Sequence, residues 1–95
     1  MAITFFISTP LRVYTGGNSQ VALAEPAATV AEALEALWRL HPGLKDRILT
    51  ERREVRAHVN VFVGNESIRY TGGLDTPLPG SCEISLLPAV SGGTA

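Results

Sequence analysis

Few side chains in this sequence are of a type and spacing to do covalent chemistry. Cys82 is the single cysteine. A nucleophilic cysteine needs a base or a positive neighbourhood to lower its pKa, and Ser81 and Glu83 supply neither. It therefore reads as a structural cysteine, buried or on an edge strand. His41 and His58, with that one thiol, give no metal-ligand spacing. His41, just before Pro42, reads as a helix-end residue, and His58 as a surface residue of a strand. Lys45 is the sole lysine, so polymers built through this chain's own lysines would have few sites. That leaves backbone. Gly-Gly pairs occur at Gly16-Gly17, Gly72-Gly73 and Gly92-Gly93. The first two sit among turn residues and read as turn glycines. The third follows a run stopped by Pro88 and lies almost at the chain end.

Composition narrows the classes of function. A chain of 95 residues, with 45% hydrophobic and 18% charged residues, makes one domain with enough apolar material for a packed core. Eight basic residues against nine acidic ones argue against a nucleic-acid binder that works through a bulk positive field. One cysteine cannot form an internal disulfide, which small secreted domains often need. Met1 to Pro10 has no cationic leader, so it does not read as a signal peptide. No run approaches the ~18 apolar residues of a membrane span. The expectation is a cytoplasmic domain that holds no cofactor.

The elements follow from patterning. Ile3, Phe5 and Ile7 alternate along a first strand that ends before Pro10. After the turn signal Gly16-Gly17-Asn18, Val21 and Leu23 suggest a second, antiparallel strand. Thr29 and Glu32 have capping-box spacing. Val30, Ala33, Leu34, Leu37, Trp38 and Leu40 then recur at helical spacing up to Pro42-Gly43, with Trp38 expected in the core. Residues 44–49 suggest one more turn, and the charge run Glu51-Arg52-Arg53-Glu54 a solvated connection. Val59, Val61 and Val63 make a third strand, Gly64-Asn65 a hairpin turn, and Ser67 to Tyr70 a short return strand. The segment from Thr71 to Gly80 is a loop. Cys82 to Leu87 is the last strand, with Ile84 and Leu86 on one face.

One amphipathic helix must cover one face of a sheet, since neither can bury its apolar side alone. The helical crossover allows the first and last strands to lie parallel at the sheet's centre. The fold expected is α+β, a ubiquitin-like β-grasp: a mixed sheet of four to five strands on one main helix. Residues 1–88 would form the domain, and residues 89–95 a flexible tail carrying Gly-Gly.

Three runs carry a resemblance: Val59-Asn60-Val61-Phe62-Val63, Ile68-Arg69-Tyr70-Thr71-Gly72-Gly73-Leu74, and Ile84 to Gly93, above all Leu87-Pro88-Ala89-Val90-Ser91-Gly92-Gly93. With them, the chain resembles the ThiS/MoaD family of ubiquitin-like sulfur carriers, and within it the CysO type. Leu11-Arg12 and Thr15-Gly16-Gly17 also resemble that subgroup. The resemblance implies a protein that is not an enzyme. It implies that an E1-like adenylating enzyme activates the Gly93 carboxylate with ATP, and that sulfur transfer then makes a thiocarboxylate. The acceptor would be a biosynthetic enzyme, a pyridoxal-phosphate-dependent cysteine synthase or a thiosugar synthase. Val90, Ser91, Gly92 and Gly93 would enter the partner's active site, and glycines suit a narrow channel because they lack a Cβ. Two other roles stay open: a protein modifier conjugated through Gly93, and the small subunit of molybdopterin synthase.

One departure is plain. The chain continues past Gly-Gly with Thr94-Ala95, so a carrier role calls for a protease, of the JAMM metalloprotease type, to expose Gly93; the alternative is a harmless extension. Docking needs a surface as well. If the alternating apolar residues face the helix, the other sheet face displays Phe6, Phe62 and Leu87, with Val90 beside them. Arg12 and Arg69 would supply rim charges.

Overall fold

The computed structural model describes residues 3–88. Five strands, β1 (Ile3–Ile7), β2 (Gln20–Leu23), β3 (Val59–Val63), β4 (Glu66–Ser67) and β5 (Cys82–Pro88), form one sheet in the order β2-β1-β5-β3-β4. β1 and β5 run parallel at its centre, Phe5 opposite Ile84 and Ile7 opposite Leu86. The flanking pairs are antiparallel. The expected mixed β-grasp sheet is therefore the fold. The tail residues Val90, Ser91, Gly92 and Gly93, with the rest of 89–95, lie outside the described residues.

Strand alternation sets the core. Ile3, Phe5, Ile7, Val59, Val61, Ile84 and Leu86 are all buried on one face. Helix α1 (Val30–Leu40) lies over them and buries Val30, Ala33, Leu34 and Leu37. It starts as the capping-box spacing requires: Thr29 Oγ1 accepts from the Glu32 amide at 3.3 Å. The reciprocal bond differs by one residue, since Glu32 Oε1 accepts from the Ala28 amide at 3.0 Å. The loop before β5 clamps the same helix end. The Val30 amide donates to the Thr76 carbonyl, and the Leu78 amide to that of Ala28.

Several expectations need correction. Trp38 is half-buried rather than core: it stands at the margin of the buried stripe, and its ring forms a wall of a groove with Leu34, Leu49 and Leu74. Leu40, on the last turn, is exposed. The return strand is only Glu66–Ser67. The Ser67 hydroxyl accepts from the Arg69 amide and turns the chain into a 3-10 helix, Ile68–Tyr70. The long first hairpin loop is also ordered, as a 3-10 helix over Thr9–Thr15 capped by Gly16 at φ 67°. Pro42–Leu44 and a short α2 (Lys45–Ile48) extend the crossover. The charge run after it is exposed, as expected, but it is a tight turn. The Thr50 amide bonds the Glu54 carbonyl, and Arg53 sits at φ 63°.

Candidate functional site

The sheet face away from α1 carries the side chains that alternate with the core. Register places Ser85 of β5 between Phe6 of β1 and Phe62 of β3. Strands ~4.8 Å apart put the two aromatic positions about 10 Å from each other, with a small residue in the gap. Gln20 lies outside Phe6 and Ser67 outside Phe62, so polar residues close the row at both ends. Leu87 follows Ser85 on the same face, beside Asn60, toward the end of β5. The structure thus brings Phe6, Phe62 and Leu87 onto one face. Each is half-buried rather than fully displayed, because neighbouring strands cover its flanks. Val90 lies outside the described residues.

The more exposed apolar side chains were not singled out from the sequence. Tyr70 is 87% and Val13 75% exposed. Tyr70 lines a shallow depression with Phe62, Ser67 and Thr71, so it extends the aromatic face past the edge strand. Its position follows from the turn at Ser67, a serine two residues ahead of the amide it accepts from. That local signal competes with a strand reading.

Two arginines flank the end of β5. Arg12 Nε donates to the Ile7 carbonyl at 2.9 Å, and its guanidinium carbon lies 5.9 Å from the Phe6 ring centroid. Arg69 Nη2 donates to the carbonyls of Ala57 and Val59 at 3.0 and 2.8 Å. Val59 pairs with Pro88, and the Ser8 amide donates to the Leu86 carbonyl. One arginine therefore stands on each side of the point where β5 ends.

The thiol and the two imidazoles take other places in the fold. Cys82 is half-buried at the start of the central strand β5, opposite Ile3, rather than on an edge. Burial pushes its thiol pKa up, away from the thiolate a nucleophile needs. His41 ends α1, as expected, whereas His58 lies in the turn just before β3 rather than within a strand. No cluster of three or more His, Cys, Asp or Glu that could hold a metal occurs among the described residues, and no helix there is long and apolar enough to cross a membrane.

The ThiS family description matches residues 6–93. The chain belongs to the ThiS family. Among relatives, it is similar to the sulfur carrier protein CysO of Mycobacterium tuberculosis, 32% identical over 98% of this chain and 100% of that protein. It is also similar to small archaeal modifier protein 1 of Haloferax volcanii, 36% identical over 70% of this chain and 71% of that one. Among solved structures, a chain of the Amycolatopsis orientalis BexX/CysO complex superposes with a TM-score of 0.83. That chain is 36% identical and the match covers 96% of this chain and 99% of it. The ThiS-family match thus includes the whole aromatic face and both glycines of the Gly92-Gly93 pair.

Proposed function

We propose that this ThiS-family protein is a sulfur carrier whose working group is the carboxylate of Gly93. A free carboxylate resists substitution because it is anionic and its leaving group is poor. An E1-like enzyme overcomes this by letting a Gly93 carboxylate oxygen attack the α-phosphorus of ATP, with loss of pyrophosphate. Bisulfide supplied by a sulfur source then displaces AMP and leaves a thiocarboxylate. Splitting one hard substitution into two feasible ones is the usual gain of covalent activation. The product stays ionised at neutral pH and tethered, and it passes sulfur to a biosynthetic enzyme such as a cysteine synthase or a thiosugar synthase. Thr94 and Ala95 lie beyond the family match and must be removed first, for which a JAMM-type metalloprotease is the fitting reagent.

The observation that carries this reading is the family match running to residue 93, on a β-grasp whose last strand runs to Pro88. The test is intact mass after incubation with ATP, sulfide and the adenylating enzyme of the same organism. The form ending at Gly93 gains sulfur in place of oxygen, and the form ending at Ala95 does not. Loading of the Ala95 form at the terminus would remove the processing step, and no loading of either form would remove the carrier role.

A second reading, conjugation through Gly93 to lysines of other proteins, is favoured by the similarity to an archaeal modifier protein. The two share the acyl-adenylate and part at its fate. Gly-Gly remnants on lysines of other proteins in the native host would support the modifier, and their absence beside a detected thiocarboxylate would exclude it.

A further inference from the structure

The formal charge of the chain is only −1, yet its charges are sorted by position. Four arginines gather at the end of the molecule where β5 finishes. Arg12 and Arg69 flank the last residues of β5 through Ile7 and Val59. Behind them, Arg56 Nε donates to the Asp46 carbonyl at 2.7 Å. Arg47 stacks over Tyr14 of the Thr9–Thr15 helix, its guanidinium carbon 5.2 Å from the ring centroid. Arg47 and Arg56 line one recess with His58 and Asp46, whose carboxylate is the acidic group there. At the opposite end of the sheet lie Glu83, beside Thr4 at the start of β1 and β5, and Glu66, beside Val63 at the end of β3.

These arginines are held but not neutralised. Among the described residues the ion pair is Arg39–Glu25 at 3.3 Å, elsewhere on the molecule. The hydrogen bonds of Arg12 and Arg56 use Nε, which fixes each side chain and leaves both Nη groups free among the described residues. Those two groups form the edge of a guanidinium that grips a carboxylate bidentately. Aromatic stacking and backbone anchoring also lower the entropy lost when such a fork engages a partner.

Geometry then says who meets this collar. Gly93 is the fifth residue after Pro88, and five residues of fully extended chain span at most about 18 Å. Any protein that takes the Gly93 carboxylate into an active site must bring the rim of its channel close to the end of β5, where Arg12 and Arg69 stand with Arg47 and Arg56 behind them. We infer that this arginine collar is a docking surface for an acidic rim, rich in Asp and Glu, around the tail-receiving channel of the adenylating enzyme. The inference rests on the carrier reading only for the identity of the partner. Opposed charge of this kind acts mainly on the rate and orientation of encounter. It complements the apolar face, which has no charge of its own to steer with.

The test compares Arg12→Gln/Arg47→Gln/Arg56→Gln with the charge-matched control Arg39→Gln/Arg52→Gln/Arg53→Gln, both ending at Gly93. Binding to the adenylating enzyme of the same organism is followed at about 50 mM and about 300 mM NaCl, where screening lengths differ about 2.5-fold. The collar variant is expected to bind roughly tenfold more weakly at low salt, through a slower association rate and with a flattened salt dependence. The control should stay within about twofold of wild type, as rim-remote charges do. Circular dichroism establishes that each variant is folded. Should the triple variant unfold, Arg47→Glu alone, at an exposed residue with no hydrogen bond among the described residues, carries the same comparison. Equal binding by the folded collar variant, or wild-type binding indifferent to salt, would overturn the inference. So would a short DNA duplex binding the wild type as tightly as the enzyme does and losing that affinity in the collar variant. Sulfur loading of the wild type separates the two ideas: a wild type that loads normally while the collar variant binds undiminished removes the collar alone. A wild type that binds the enzyme and never loads removes the carrier role and leaves the collar standing.

Discussion

Arg53 is the residue with the clearest local conflict. It has φ 63°, a left-handed conformation in which an L side chain crowds the following carbonyl. The turn imposes it: the Leu49–Val55 bridge and the bond from the Thr50 amide to the Glu54 carbonyl close the loop over four residues. Arg53→Gly is therefore expected to stabilise the fold by about 1 kcal/mol, read as a rise in Tm, because glycine adopts this conformation without the penalty. An unchanged or lower Tm would mean that contacts of the arginine outweigh the strain. Cys82 makes a second prediction at this scale. Burial raises its thiol pKa above the ordinary 9.0. A group whose folded pKa is raised stabilises the fold fully below its unfolded pKa and loses that contribution as pH rises through the folded value. Denaturation midpoints of the wild type should thus fall more steeply above about pH 9 than those of Cys82→Ala. Identical profiles would show that the thiol is not desolvated. The same desolvation keeps it a poor nucleophile, so under the proposed carrier role Cys82→Ala and wild type should load sulfur at Gly93 equally.

At the scale of elements, the start of α1 links local chemistry to the sheet. Thr29 supplies the cap through its hydroxyl, and it also bridges to Pro77 in the loop that leads into β5. Thr29→Ala should cost about 1 kcal/mol by chemical denaturation, the usual loss of an N-cap side chain. A cost near zero would mean that the backbone bridge holds the helix end alone. This helix was legible because cap, apolar period and Pro42-Gly43 stop all agree, and β1, β3 and β5 were legible from two-residue alternation. Elements shaped by competing side-chain bonds were not. Ser67 to Tyr70 has strand-like composition, yet one serine hydroxyl bends it into a 3-10 turn and sends Tyr70 outward. Arg53 gave no warning, since its conformation comes from closing a loop rather than from its own preference. Phe6, Phe62 and Leu87 could be grouped from alternation alone, given the strand order. The arginine collar could not: positions 12, 47, 56 and 69 meet only once the crossover has folded, and the net charge conceals them.

For the whole molecule, the layer arrangement separates stability from recognition. All burial by α1 falls on one sheet face, so the other face is free to serve a partner without a second core to maintain. Phe6 and Phe62 sit on that free face, half-buried beside Ser85 at the middle of β5, with the Arg12 guanidinium over the Phe6 ring. If the two rings are the apolar contact of the docking surface, their removal should harm recognition more than folding. The double variant Phe6→Ala/Phe62→Ala loses partial ring burial, about 1–2 kcal/mol per site, less than the ~3–5 kcal/mol of a fully buried aromatic. A fold with a typical stability of ~5–15 kcal/mol survives that loss. In the partner complex the same rings would be fully desolvated, and central aromatic anchors carry much of the binding energy. The expected outcome is a cooperatively folded variant whose sulfur loading at limiting carrier falls by roughly tenfold or more. Raising the carrier concentration should restore the maximal rate, because the proposed carrier role puts the chemistry at Gly93 and in the enzyme. Loading at the wild-type rate would take the aromatic face out of docking. A loss that saturating carrier cannot restore would instead tie the rings to the placement of Gly93 in the channel.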